Sequence, residues 1–407
     1  MKIALLTLGT RGDVQPYAVL GRALKERGHT VTLSTARNFS ALAGDYGLDF
    51  APVDADFQAL MESEEGKKMM KSPLTAQRNF SKWMHPVIQE ALQTFYDVAR
   101  LHDKVLFHGK TLAGFFADQF PEKMIRANVV PAFEPTSSFV NPVLSGIRLP
   151  AFMNRLSFGL TAIGYRMMRK PIRQFRLNNG MDDRVSDYRD LRSIYGISRF
   201  LLEAPRDWGA RSHFTGFWYG DSPADLSIDT LEFLRKGSAP ILLTFGSMPL
   251  NIDWDLRAAV IRITQKLGIR FIVVKGWGFP STEEFEGNNF IKVISSAPYE
   301  KLLPHVKAAI HHGGIGTTAE CLRAGKPFLT CPVLYPVGDQ HFWGKLASQK
   351  GCALPPIPAR RLNAELFEKA IIGLLGDKEL SMNAQRFAAM LQTENGIDEA
   401  IRLVELS

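Results

Sequence analysis

Short apolar runs that end in glycine-containing turns recur along this chain. The first run, residues 2–8, is followed by a turn at 9–13 and by a segment, 14–27, with apolar residues at helical spacing. Gly28 stands where a helix C-cap belongs, and another apolar run follows at 30–34. This order predicts a strand, a turn, a helix and a second strand, which is typical of a parallel sheet wound with helices.

The same pattern begins again near Pro240, after a polar stretch at 220–239. From the apolar runs and their spacing we predict strands at 241–245, 271–275, 291–294 and 308–311, and helices at 255–267 and 299–303. The two series together predict an α/β fold of two Rossmann-like domains, with parallel sheets that face a central cleft.

These patterns also suggest where the domains begin and end. We predict an N-terminal domain at 1–218, a linker at 219–238, a C-terminal domain at 239–380 and a C-terminal helix at 381–407 that packs back on the N-terminal domain. Ligands of such proteins bind beyond the carboxyl ends of the strands, so the cleft is the expected site.

Composition narrows the class of protein. The chain has 407 residues, 45% of them hydrophobic, and three cysteines without a CxxC pair, so we expect neither a disulfide framework nor a zinc site. The apolar start ends at Gly9, too early for a signal peptide, and no apolar run reaches the length of a transmembrane helix. We therefore expect a cytoplasmic protein.

A net charge of +8 suits phosphate-bearing ligands, an anionic membrane surface or nucleic acid. Residues 148–176 carry seven Arg or Lys residues and no acid, with apolar residues between them. This mixture favours an amphipathic interfacial helix over a nucleic-acid surface, although a helix packed on its own domain would show it too. We expect no nucleic-acid partner, and weak peripheral membrane contact remains open.

The strongest chemical signal is His311-His312-Gly313-Gly314-Ile315-Gly316-Thr317-Thr318, between a predicted strand and a predicted helix. A helix N-terminus offers unpaired N–H groups and the positive end of the helix dipole, which suit a diphosphate. The glycines allow close approach, and the histidine and threonine side chains add donors. The structural alternative is a tight turn capped by Thr317.

Two further positions carry side-chain oxygen atoms that suit hydrogen bonding or proton transfer. Asp339 and Gln340 are adjacent and can bind sugar hydroxyls, although such a pair is also common where a helix starts. Asp13, in the first turn, could take a proton from a hydroxyl group, and it is equally suited to cap the helix that follows. One residue can serve both roles.

Residues 296–358 resemble the donor-binding region of family-1 glycosyltransferases with the two-domain GT-B fold. The sequences HHGGIGTT, DQHFWG and LPPIP are most similar to the sterol and lipid glucosyltransferase branch. The opening sequence GTRGDVQP, and PRDW, TGFW and FGSM further on, also resemble that branch. The resemblance covers the C-terminal half well, but in the N-terminal half it is dense only at 1–35 and 200–218.

This resemblance implies a role for each matching residue. Asp13 matches the general base, and the nucleotide-sugar site is matched by Ser247, His312, Gly314, Gly316, Thr317, Glu320, Asp339 and Gln340. In the family the histidine binds the diphosphate, the glutamate binds the ribose, and the Asp-Gln pair binds the donor sugar. Ser296 stands where plant members stack an indole on the nucleotide base, so the identity of the base stays open.

The implied activity is an inverting, metal-independent hexosyltransferase with UDP-glucose as co-substrate and no other cofactor. The acceptor would be an apolar hydroxyl compound such as a sterol, a lipid, a polyphenol or a macrolide. A dTDP-rhamnose-dependent transferase, another sugar-nucleotide enzyme on this fold and a non-catalytic binding module are the alternatives. The Phe- and Met-rich segment 133–176 favours an enzyme with an apolar acceptor.

Two Asp-x-Asp sequences, at 54–56 and 253–255, resemble the metal sites of transferases with another fold. Neither is linked in sequence to the phosphate cradle. A helix N-terminus together with His312 can stabilise a leaving diphosphate without a cation. We therefore predict that no metal ion is required.

Overall fold

The protein is described from a computed structural model. The residues described are 1–54, 73–159, 168–183, 191–246, 248, 250, 252–276 and 281–406, with the backbone alone at 73–84.

Parallel strands form the first sheet. They are β1 (Lys2–Leu6), β2 (Thr30–Ala36), β3 (Asp49–Val53), β4 (Lys104–Phe107), β5 (Met124–Asn128), β6 (Ser193–Tyr195) and β7 (Ser212–Phe214). Across the described residues these strands pair in the order β3-β2-β1-β4-β5-β6-β7. The order reverses direction between β1 and β4, and the loops after these two strands therefore border a crevice.

Helices cover the first sheet. They are α1 (Arg11–Glu26), α2 (Ser40–Asp45), α3 (Pro73–Arg100), α4 (Asn154–Ser157) and α5 (Arg169–Asn178). The first helix buries Val14, Tyr17, Leu20 and Leu24, which recur at helical spacing and pack against the sheet. Gly21 lies on the same face, and a Cβ atom there would come within 2.8 Å of Leu5 Cδ1. The close approach of α1 to the sheet therefore depends on glycine at this position.

A second parallel sheet begins after residue 240. Its strands are β8 (Ile241–Thr244), β9 (Phe271–Val274), β10 (Ile291–Ile294), β11 (Ala308–His311) and β12 (Phe328–Thr330). Among the residues the structure covers, they pair in the order β10-β9-β8-β11-β12, with the reversal between β8 and β11. The two halves thus share one topology, and the prediction of two parallel-sheet α/β domains is confirmed.

The helices of the second half follow the same alternation. They are α6 (Ile228–Arg235), α7 (Leu256–Leu267), α8 (Tyr299–Leu302), α9 (Ile315–Arg323), α10 (Gln340–Gln349), α11 (Ala364–Gly376), α12 (Lys378–Leu391) and α13 (Gly396–Glu405). Within the described ranges, no helix combines the length and the hydropathy needed to cross a bilayer.

Two segments differ from the local sequence prediction. The predicted linker 219–238 contains α6, because the Ser227 side chain accepts a hydrogen bond from Thr230 N and Leu234 is buried. The C-terminal segment 381–407 belongs to two helices instead of one. The first of them, α12, begins at Lys378 and packs on α9 of the C-terminal half.

The last helix, α13, packs on α1 and connects the end of the chain to the N-terminal half. Ala400, Ile401 and Val404 are buried in this contact. An ion pair from Arg27 to Asp398 at 3.2 Å and a hydrogen bond between His29 and Glu405 at 3.0 Å border it. The ion pair is exposed, which limits its contribution to about 1 kcal/mol or less, so the apolar contact is the main attachment.

We expect Gly21→Ala to lower the free energy of unfolding by about 1–2 kcal/mol, because the added methyl group overpacks the α1–sheet contact. Helix propensity alone would predict the opposite sign, since alanine is favoured over glycine by about 1 kcal/mol. The matched control is Gly44→Ala in α2, where a Cβ atom meets no atom within 4 Å. Urea unfolding of both variants provides the measurement. A stabilised Gly21→Ala protein would contradict the packing argument.

Candidate functional site

The two strand-order reversals bring four loops to one cleft. In the N-terminal half, the loops after β1 and β4 carry Asp13 and Lys110. In the C-terminal half, the loops after β8 and β11 carry Gly246 and His312. The halves touch beside this cleft, where Gly338 N donates a hydrogen bond to Val143 O at 2.7 Å. The cleft therefore combines side chains of both domains.

Asp13 lies in the first turn of α1 and is 8% exposed. Its Oδ2 atom accepts hydrogen bonds from Thr10 N at 2.9 Å and from the Thr10 hydroxyl at 3.3 Å. Its Oδ1 atom forms an ion pair with the Lys110 ammonium group. The carboxylate thus helps to cap α1, as in a capping box, and also faces the cation of the neighbouring loop.

The surroundings of Asp13 favour its ionised form. Burial alone would raise its pKa, but the charge of Lys110, the hydrogen bond from Lys110 and the Thr10 N–H group together lower the pKa below the ordinary aspartate value. An ionised carboxylate in a cleft can accept a proton from a bound hydroxyl group.

His108 holds the backbone of the loop that carries Lys110. It is fully buried, and its ring lies between the rings of Tyr17 and Phe133, with centroid distances of 6.3 Å and 5.7 Å. Burial and the nearby Lys110 charge lower its pKa to about 3. The ring is therefore neutral at pH 7, and its Nδ1 atom accepts a hydrogen bond from Lys110 N at 3.1 Å.

The loop between β11 and α9 carries the residues predicted to bind a diphosphate. His311 is buried, and its Nδ1 atom accepts a hydrogen bond from Gly313 N at 3.1 Å. Gly313 has a φ of +94°, and a Cβ atom there would lie 2.7 Å from Gln340 O. Only glycine meets both conditions at low cost, so this turn directs the start of α9 toward the cleft.

The His312 ring packs between two glycines. A Cβ atom on Gly314 would lie 2.5 Å from His312 Nε2, and one on Gly246 would lie 3.0 Å from His312 Cε1. Burial lowers the His312 pKa to about 4, so the ring is neutral at pH 7. Its Nδ1 atom is buried and has no hydrogen-bond partner among the described residues. A proton on Nε2 would make that nitrogen a donor for an anion at the helix start.

The first turn of α9 leaves backbone donors available. Gly314 is the N-cap residue and provides no side chain, and the first helical bond runs from Thr318 N to Gly314 O at 3.0 Å. The N–H groups of Ile315, Gly316 and Thr317 precede that bond and lack helical acceptors. These donors and the helix dipole are suited to an anion, and the role of this turn as a diphosphate site stays a prediction.

Glu320 lies one turn further along α9. Burial raises its pKa to about 7, and the acids Glu300 and Asp221 oppose its ionisation as well, while Arg323 favours it from 3.7 Å. Tyr219, from the segment between the two domains, donates a hydrogen bond to Ala319 O at 3.0 Å. The predicted role of Glu320 in binding the ribose stays a prediction.

The Asp339–Gln340 pair begins α10, and its two side chains differ in their contacts. Gln340 is buried, and its Oε1 atom accepts hydrogen bonds from Val333 N at 2.8 Å and Leu334 N at 2.9 Å. Its carbonyl oxygen therefore orders the preceding loop, which the sequence did not indicate. Asp339 accepts one hydrogen bond from Trp343 Nε1 at 3.0 Å. Burial raises the Asp339 pKa, against the opposing charge of Lys110.

Some predicted positions lie apart from this group. Ser247 falls outside the described residues, and Ser296 is exposed. Of the two Asp-x-Asp sequences, Asp54 pairs with Arg37, and residues 55 and 56 are outside the described ranges. Asp255 caps α7 by accepting from Arg257 N and Ala258 N. Among the residues that are described, no group of three or more His, Cys, Asp or Glu side chains could hold a metal ion.

The basic segment 148–176 is partly neutralised by acids from elsewhere in the chain. Arg176 is fully buried and forms a two-point ion pair with Asp118 at 2.7 and 2.8 Å. Arg155 and Arg173 pair with Asp207 and Asp183, while residues 160–167 are not described. In α5, Ile172 and Phe175 are buried, so this part of the segment packs on its own domain.

Sequence reasoning missed Lys110 and His108. The signal available was the triplet His108-Gly109-Lys110 directly after the apolar run 105–107, in the same position relative to a strand as the turn that carries Asp13. Polar residues at such strand ends are candidates for a cleft site. Gly246 was included in the sequence FGSM without a role of its own. Its φ of +59° next to His312 explains the need for glycine there.

Comparisons with known proteins identify glycosyltransferases as relatives of this chain. Residues 3–113 match the model of the glycosyltransferase family 28 N-terminal domain. A sterol 3-beta-glucosyltransferase of Arabidopsis thaliana is 29% identical over 99% of this chain, and the chain spans 65% of its length. An O-mycaminosyltylonolide 6-deoxyallosyltransferase of Streptomyces fradiae is 29% identical over 100% of this chain and 97% of its own.

Solved structures show the same fold. The glycotransferase of kitacinnamycin has a TM-score of 0.72 and 18% identity, with 99% of this chain and 98% of that chain covered. Glycosyltransferase VinC, in complex with dTDP, has a TM-score of 0.65 and 16% identity, with both chains fully covered. These matches confirm the GT-B fold, and the curated relatives confirm the resemblance to sterol and lipid glucosyltransferases.

We expect His312→Ala to weaken binding of a free nucleoside diphosphate by about 10- to 100-fold, the net contribution of a hydrogen bond to a charged group. Isothermal titration calorimetry of the free nucleotide measures this directly. The control is His305→Ala, an exposed histidine of the same half. Unchanged affinity in His312→Ala would show that the ring only supports the turn.

Proposed function

We propose that this chain, a GT-B protein related to sterol and macrolide glycosyltransferases, transfers a hexose from a nucleoside diphosphate sugar to a hydroxyl of an apolar acceptor. The observation that supports this most strongly is the joint placement of an ionised, buried Asp13 and an uncapped helix start, one from each half, at the same cleft. The first can accept a proton, and the second can hold a departing diphosphate.

The proposed reaction is a single displacement. The acceptor oxygen attacks the anomeric carbon while Asp13 takes the hydroxyl proton, and the bond from that carbon to the diphosphate breaks. The developing charge on the diphosphate is stabilised by the first-turn N–H groups of α9 and by His312. In this proposal the acceptor oxygen attacks the face of the sugar opposite the departing diphosphate, which inverts the anomeric centre. The placement of Asp13 and the start of α9 in opposite halves is compatible with such an attack.

UDP-glucose is the donor we propose. The support is the name of the Arabidopsis relative, a glucosyltransferase, together with the predicted match of Asp339 and Gln340 to the donor-sugar pair. The Streptomyces relative is named for a deoxyallosyl group, and VinC was solved with dTDP. A dTDP-deoxysugar is therefore the second donor to include in any assay.

For the acceptor we propose a sterol, a lipid or a macrolide-type compound. The aromatic residue Phe139 of the N-terminal half contacts Phe342 of the C-terminal half beside the cleft, with a centroid distance of 5.6 Å. Further out, Phe152 and Leu156 are 80% and 68% exposed. Peripheral membrane contact through 148–176 stays a prediction, and the ion pairs of Arg155, Arg173 and Arg176 reduce the charge available for it.

The test is a donor panel of UDP- and dTDP-sugars against sterol, lipid and macrolide acceptors, with products identified by mass spectrometry. With the active pair, we expect Asp13→Asn to lower kcat by about 10²- to 10⁴-fold, the usual contribution of a general base. Nucleotide affinity should change little, because the cradle lies in the other half.

The matched control is Asp45→Asn, an exposed aspartate of α2 in the same half. This variant should keep wild-type activity. Full turnover in Asp13→Asn would remove this carboxylate from the mechanism, and the absence of any glycosylated product across the panel would remove the proposed function.

We expect transfer to continue in the presence of EDTA. The reason is that backbone N–H groups and a neutral histidine can stabilise the diphosphate without a cation. The measurement is the initial rate before and after chelation and after addition of Mg²⁺ or Mn²⁺. Loss of activity on chelation, restored by either ion, would overturn the metal-independent mechanism.

A further inference from the structure

Both oxygens of the Asp13 carboxylate are held. Oδ2 accepts from Thr10 N and the Thr10 hydroxyl, which belong to the same turn. Oδ1 pairs with Lys110, which lies 97 residues further along the chain. The first restraint comes with the helix cap, whereas the second depends on a residue that is not needed for α1 to form.

Lys110 is itself well placed to act on the cleft. Its backbone N–H group is fixed by the buried ring of His108, and the loop that carries it follows β4, the direct neighbour of β1. Its side chain is 48% exposed, so the ammonium group borders open space. The backbone of Lys110 is therefore held in place, while its ammonium group can contact a molecule bound in the cleft.

The same ammonium group also acts across the cleft. The charge of Lys110 lowers the pKa of Asp339, a residue of the C-terminal half, whereas the charge of Asp13 raises it. The cation of Lys110 therefore acts on carboxylates of both domains.

We propose that Lys110 is a positioning residue for the transfer reaction, which pairs with the Asp13 carboxylate and holds it in place as an ionised base. This inference rests on the proposed function and adds a residue to it. Lys110 acts through Asp13, so it is not itself the base.

The expected pH dependence follows from the groups that face Asp13. These are Lys110, His108, Tyr17, Thr10 and, from the other half, Asp339. His108 and Tyr17 are neutral at pH 7, because burial lowers the pKa of the first to about 3 and raises that of the second well above 10. Lys110 is therefore the main cation that opposes the effect of burial on the Asp13 pKa. Its removal should raise that pKa, and activity should then be lost at a higher pH as the solution is acidified.

The experiment measures kcat/KM from pH 5 to 9 for wild type, Lys110→Met and Lys110→Arg. We expect Lys110→Met to move the acidic limb to higher pH and to lower kcat/KM on the acidic side by about 10- to 100-fold, with the loss shrinking as pH rises. Lys110→Arg keeps the charge and should restore most of the profile. The control is Lys104→Met. Lys104 lies in β4, and its ammonium group donates a hydrogen bond to the Glu122 carbonyl.

Two further measurements separate the possible outcomes. Carboxyl-carbon NMR titration of Asp13, assigned by the loss of its signal in Asp13→Asn, requires no turnover. An Asp13 pKa that rises in Lys110→Met supports the proposal, and an unchanged pKa overturns it, even if wild type transfers no sugar and the proposed function fails. Calorimetry with UDP should give unchanged affinity in Lys110→Met. A loss of UDP affinity as large as the loss of activity would overturn the positioning role and make Lys110 a phosphate ligand.

Discussion

Parallel pairing of β1 with β4 and of β8 with β11 is the constraint on which the candidate site depends. In each sheet these two strands are neighbours although two further strands and several helices lie between them in sequence. Their carboxyl ends therefore adjoin at a point from which the connections lead away in opposite directions. Asp13 and Lys110 meet at one such point, and Gly246 and His312 at the other.

The strand-order reversals of the two sheets differ in the charges of the side chains beside them. On the N-terminal side, the ion pair with Lys110 favours the ionised form of a buried carboxylate, Asp13. On the C-terminal side, His311 and His312 are both neutral because burial lowers their pKa values, and the attraction for an anion comes from N–H groups and the helix dipole. Under the proposed function this arrangement favours release of the diphosphate, because a buried cation would hold that product more tightly.

The turns that carry Asp13 and His312 can be predicted from the sequence, because the signals that predict them are local. Strand, glycine and helix signals occur there within about ten residues. The extra helix α6 was missed because its cap, Ser227, lies in a stretch whose proline and polar residues look like a linker. The hydrogen bonds of Gln340 to Val333 and Leu334 were missed because they depend on loop geometry, which residue type does not specify.

Lys110 shows the other limit of sequence reasoning. Its importance comes from a partner 97 residues away, and only the sheet order makes them neighbours. A lysine after a strand is an ordinary surface residue unless the adjacent strand end carries a buried acid. Once strand order is known, each polar residue at a strand end can be compared with those of the neighbouring strand. In a doubly wound sheet the comparison that matters most is the one across the reversal, because no crossover helix covers the space between those two loops and a ligand can reach both.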